Sequence, residues 1–279
     1  MSFAPMLPAG GVLGYRLLTR TEDSQRAVFA RQPEITRNIE WFREKIGEVG
    51  SAEALLSDRR LLSVALGAFG LDEEIDKRAY LRKVLEEGTE KPEAFANRLV
   101  DPRYKAFAAA FGFGDAGGAR TGKAGFADGI IAAYKDRQFE IAVGDQDEAL
   151  RLALNFRREI RKHANSTLSE GSAWFAVMGD KQLRAVLEDA FNLPDSFGQL
   201  DIERQREDFR RLNNSVFGDK SLKVFRDDAV VEKAIERFLI RRSIENGPSA
   251  ATPGYSALTL LGGGIGGTGM RNLIVSGQF

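Results

Sequence analysis

The chain has 279 residues, 40 basic and 40 acidic side chains, one histidine and no cysteine, for a formal net charge of +0. Without cysteine there can be no disulfide framework, iron–sulfur cluster or thiolate zinc site, and a single His excludes a multi-histidine metal centre. Balanced charge argues against a nucleic-acid protein that works by neutralising phosphates, and 43% hydrophobic residues suit a globular protein.

Residues Met1–Gly14 carry no charge, and Pro5, Pro8 and the Gly10–Gly11 pair interrupt any signal-like apolar run. A chain outside the general secretory pathway is expected, either cytoplasmic or exported by a specialised route. No stretch approaches the roughly 18 apolar residues of a membrane span, so no membrane insertion is expected. Residues 1–12 are read as a flexible N-terminal segment.

From Leu13 to Asn246 the apolar residues recur at helical spacing, and no two-residue alternation of β-branched side chains appears. An all-α fold follows. Helices are predicted near 22–32, 33–47, 73–87, 92–99 and 102–111, with Pro33, Pro92 and Pro102 in first turns, where a missing amide costs nothing. Leu55, Leu62, Leu66 and Phe69 are expected on one face of a further helix, capped by Ser57 or Asp58 and stopped at Gly70. The second half predicts helices near 125–143, 147–164, 171–178, 180–191, 202–216 and 229–243.

These helices repeat. At an offset of 114, Gln32, Glu34, Arg37, Phe42, Arg43 and Ile46 meet identical residues at Gln146, Glu148, Arg151, Phe156, Arg157 and Ile160. At an offset of 122, Asp58, Leu61, Val64, Ala68, Phe69 and Leu71 meet Asp180, Leu183, Val186, Ala190, Phe191 and Leu193. Matched apolar positions with a matched capping Asp point to a duplication. It gives a first helical half, residues 13–113, and a second, 125–246, joined by the Gly-rich segment 114–124, which reads as a flexible linker.

The final segment, 247–279, holds nine Gly, two Pro and one charge, Arg271. Ordering a residue costs on the order of 1–2 kcal/mol, which so few large side chains do not offset, so disorder is expected when the segment is alone. Its apolar residues Leu258, Leu260, Leu261, Ile265, Leu273, Ile274, Val275 and Phe279 make it a candidate partner-binding tail that orders on contact.

Two chemical motifs match in letters only. Gly117–Lys123, GGARTGK, has phosphate-loop spacing, but Ala124 follows where a Ser or Thr should hold magnesium, and a helix precedes it. Gly264–Gly269, GIGGTG, has dinucleotide-fingerprint spacing, but no acidic residue follows Glu245 in the sequence. His163, beside Lys162 near a helix C-terminus, fits a dipole-facing cation. Adjacent acids such as Asp227–Asp228 and Glu73–Glu74 diverge on a helix and read as caps or solvated charges. Arg157–Arg158 and Arg241–Arg242 have acidic neighbours, Glu159 and Glu245, which weakens a basic-patch reading. Phe42, Phe69, Phe95, Phe107, Phe111, Phe156, Phe191, Phe209 and Phe238 read as core. No catalytic, cofactor-binding or metal-binding residues are assigned.

Trp41–Thr89, Phe95–Asp115 and Asp136–Ile160 together resemble the family called domain of unknown function 1217, over about Tyr15–Arg242. The resemblance implies an alphaproteobacterial protein associated with the flagellum, with no established activity, cofactor or catalytic residue. The expected function is therefore a non-enzymatic structural or assembly protein whose partners are flagellar proteins. Two rivals are a cytoplasmic chaperone or assembly factor and, further off, an enzyme using carboxylates in a cleft between the halves.

Overall fold

A computed structural model describes residues 3–245 and residue 247; the candidate tail, including Leu258 to Phe279, and the GIGGTG motif lie outside the described residues. Those residues form thirteen α-helices joined by short turns, with no strand among them. The fold is all-α.

Helix α1 spans Gly11–Phe29, earlier than its polar-rich sequence suggests. Of the segment expected to be flexible, residues 3–10 run back along it. The Met6 amide donates to Gln25 Oε1 (2.7 Å), and Gln146 Nε2 donates to the Pro5 carbonyl (2.8 Å). Helix α2 is Pro33–Lys45, opened by its proline as expected. The single helix expected over Leu55–Phe69 is in fact two, α3 (Ala52–Ser57) and α4 (Arg59–Phe69). Asp58 makes the break: its backbone is extended, and its carboxylate accepts the amides of Arg60 and Leu61 and the Trp41 indole N–H at 2.8 Å. Leu55 therefore reaches the core from a different helix than Leu62 and Leu66. Gly70 ends α4 in the left-handed region, φ 69°, as expected. Asp58→Ala removes the cap and the indole's acceptor together. We expect a loss of about 1–2 kcal/mol in urea unfolding, with Asn restoring most of it.

Helix α5 (Arg78–Glu86) begins later than expected because residues 72–74 form a separate 3₁₀ turn. Helix α6 is a single turn, Phe95–Arg98, with Pro92 in the preceding turn, and α7 is Pro102–Phe111, capped by Asp101. Then come α8 (Phe126–Gly144), α9 (Glu148–Ala164), α10 (Glu170–Gly179), α11 (Lys181–Ala190), α12 (Ile202–Phe217) and α13 (Asp228–Glu245). Asp147, Ser169, Asp180 and Asp201 cap α9 to α12 through their side chains.

The segment read as a flexible linker is a bonded loop. Buried Asp115 accepts from the Thr89 amide (2.7 Å), Arg120 donates to the Ala109 carbonyl (2.7 Å), and buried Thr121 donates to the Val49 carbonyl (2.7 Å). Composition suggested mobility because glycine is permissive. Here Gly112, Gly118 and Gly125 use that freedom, at φ of 70°, 64° and 79°, in the turns between α7 and α8. The GGARTGK letters thus belong to a loop after a helix.

One contiguous apolar core draws on both halves. Helix α8 lies along α4 and against α2; α13 lies along α11 and against α9. In both places an arginine of the later helix caps the same position of the earlier one. Arg137 Nε donates to the Ala68 carbonyl (3.0 Å), and Arg237 Nε donates to the Ala190 carbonyl (2.7 Å). Helix α9 also packs on α8, and α1 lies against α9 and α13. Of the nine Phe expected in the core, Phe69 and Phe95 are half-buried and pack against it; the rest are buried.

Candidate functional site

Where α4 ends, α8 and the start of α9 and α11 enclose a cleft of about 590 Å³. Gly70–Glu74 form one wall, Arg103 and Arg137 the floor, Glu140, Gly144 and Asp145 the second wall, and Glu148, Arg151, Lys181 and Gln182 the far rim. It lies between the two halves, where a carboxylate site was to be sought.

The floor is structural. Arg137 and Arg103 donate to the carbonyls of Ala68 and Gly70, so two guanidiniums satisfy the open C-terminus of α4. Burial, and then the neighbouring Arg158, push the Arg137 guanidinium below its usual range. Its opposite charge is Glu159 (3.1 Å), which also serves Arg158 and Lys162. Burial alone would raise Glu159, but Arg158, Lys162 and Arg137 hold it below the usual carboxylate range.

The wall carboxylates are similarly engaged. Glu140, nearly fully buried, takes Arg158 in a two-point pair, Nε–Oε1 2.8 Å and Nη2–Oε2 2.9 Å. Asp72 accepts from Gln138 (2.8 Å), and Glu148 accepts from Arg151 Nε (2.7 Å). Glu74, which burial would raise, is held low by the Tyr104 hydroxyl and Lys77. The raised carboxyl is elsewhere. Asp189, in a smaller groove of about 320 Å³ beside α13, is pushed up by burial against the pull of Arg242 at 2.7 Å.

A second ionic and aromatic assembly ties α1 to α8, α9 and α13. Glu22 pairs with Arg26 (2.8 Å) and with Arg157; Arg26 reaches Asp136 (3.1 Å) and covers the Phe139 ring. The Tyr15 hydroxyl donates to Glu232 (3.1 Å) with Arg157 over its ring, and burial raises its pKa. Apart from Glu22 and Arg26, one helical turn apart, the bonded partners lie 110 to 217 positions apart, which hides them from any local reading. The sequence paired Arg157 and Arg158 with their neighbour Glu159; their main partners are Glu22 and Glu140. By contrast, Asp227 caps α13 through the Ala229 amide (2.9 Å), and Arg241 pairs with Glu245 (2.9 Å), as adjacency suggested.

His163 does not act as the expected cation. Burial lowers its pKa, more than Asp180 and Glu159 raise it, so the ring is neutral at pH 7 and the dipole role falls to Lys162. A depressed folded pKa means the unfolded chain binds the proton more readily. Stability from this residue is full above about 6.5 and falls as pH drops through the folded pKa. His163→Gln is expected to flatten the stability profile below about pH 6.5 in urea titrations.

Among the described residues no three His, Asp or Glu side chains are grouped to hold a metal ion, and no helix is long and apolar enough to cross a membrane. A search of curated proteins finds no match. The crystal structure of protein AGR_C_984 from Agrobacterium tumefaciens is similar, with a TM-score of 0.69 and 31% identity over 84% of this chain and 94% of that one. With a family profile matching residues 68–231 as well, the chain belongs to the family described as protein of unknown function, DUF1217.

Proposed function

We propose that the protein is a non-enzymatic structural or assembly component associated with the bacterial flagellum, built from two tandem copies, residues 13–113 and 125–246, and acting through protein–protein contacts. One observation carries the non-enzymatic part. The cleft carboxylates Asp72, Glu74, Glu140 and Glu148 accept from Gln138, Lys77, Arg158 and Arg151, so they serve as partners that hold the fold together. The flagellar part is supported by the resemblance over Trp41–Ile160, and the partner-binding role of 247–279 by its apolar, charge-poor sequence.

The test is fractionation of cells carrying a tagged copy into cytosol and sheared flagella, with pull-downs using the chain with and without residues 247–279. Flagellar recovery and loss of partners on truncation are expected. Recovery in cytosol with flagellar subunits attached would mean an assembly factor instead. Recovery with no flagellar protein in either fraction would end the flagellar reading, and unchanged partners after truncation would end the role of the tail.

A further inference from the structure

Residues 3–9 lie as a strap against α1 and the turn that joins α8 to α9. Phe3, Pro5 and Leu7 turn inward while Ala4, Met6 and Pro8 are exposed, the period-two pattern of an extended chain. The surface beneath reads the main chain of the strap. Gln25 takes both sides of Met6, accepting from its amide (2.7 Å) and donating to its carbonyl (3.3 Å), and Gln146 donates to the Pro5 carbonyl (2.8 Å). Main-chain hydrogen bonds with alternate apolar side chains seated below are how a surface receives an extended peptide. Pro5 and Pro8 each fix one φ and so favour the extended form before it binds, and the strap carries no charged side chain.

A tight reversal joins the strap to α1. Gly11 stands in the left-handed region at φ 61°, and the Ala9 carbonyl oxygen passes 1.9 Å from where a Cβ on Gly14 would stand. Glycine at both positions lets the chain close back over the first turn of its own helix. A short hinge of this kind favours the exchange of an identical element between copies. In a second molecule the strap would meet the same Gln25, the same Gln146 and the same apolar seats, so exchange loses none of these contacts and only the hinge opens. We infer that residues 3–9 of one molecule occupy this surface on a second copy while that copy's strap occupies the first, giving a closed two-fold dimer. It stands apart from the flagellar reading, which localisation decides.

Sedimentation of the full chain over a range of concentrations tests this. It should show monomer and dimer and nothing larger, with little response to added salt because the strap is uncharged. Gly11→Ala disfavours the reversal, which needs a left-handed residue, and leaves the opened hinge unaffected. It should tighten dimerisation about tenfold. A chain that stays monomeric at every concentration, or a Gly11→Ala variant that dimerises no more tightly than the wild type, overturns the inference. A photo-reactive residue at position 6, an exposed site on the strap, should join α1 of another copy when tagged and untagged chains are mixed. A dimer whose cross-links all fall within single chains is held by some other surface and overturns it as well.

Discussion

Arg158→Ala is expected to lower the unfolding free energy by about 3–5 kcal/mol, the cost of stranding one member of a buried pair. Glu140 is 3% exposed, and both of its oxygens accept from the Arg158 guanidinium, at 2.8 and 2.9 Å. Burial alone would lower the Arg158 pKa, but Glu140 outweighs it and raises it, so the pair forms despite desolvation. Truncation leaves the Glu140 carboxylate in a low-dielectric wall without its donor, and Glu159 loses one of its cations. For a chain of this size the midpoint of thermal unfolding should fall by about 6–20 °C. Replacing both partners, Arg158→Met with Glu140→Leu, should recover most of the loss, because no charge is then buried alone. If the double variant is as unstable as the single one, the cost lies in packing, and the electrostatic account fails.

Phe209→Ala should cost a similar 3–5 kcal/mol for a different reason, a cavity the neighbours cannot fill. Phe209 lies at the centre of an aromatic group: Phe197 meets it edge-on at 5.2 Å, Trp174 stacks at 6.0 Å and Phe191 lies at 6.1 Å. These rings come from α10, the end of α11, the 3₁₀ turn at 195–199 and α12, so one side chain anchors four segments. Trp174 is fully buried, with its indole N–H on the Lys220 carbonyl at 3.0 Å, and reports on the site directly. The variant's native emission should shift to the red, whereas Arg158→Ala should leave it unchanged. A blue emission maximum with full stability would mean the site collapses around the missing ring.

Much of the helical framework was legible because its signals are local. Asp101, Asp147, Asp180 and Asp201 each cap the helix they precede, and Gly70 and Gly112 each end one in the left-handed region. Periodicity misled where a break left the spacing intact. Leu55 keeps helical phase with Leu62, yet Asp58 turns the chain between them because its carboxylate has two amides and an indole to bind. The start of α1 was obscured by glycines; packing against α9 and α13 makes it helical.

Sequence alone determined the helical class and most helix boundaries, since each depends on neighbours within a few turns, and it carried the resemblance to the family. Tertiary structure alone decided which charge answers which: Glu22 with Arg157, Glu140 with Arg158, Tyr15 with Glu232. It also decided that the cleft floor is a helix cap. Those outcomes depend on how whole helices stack, and a carboxylate far along the chain carries no mark of the guanidinium it will meet.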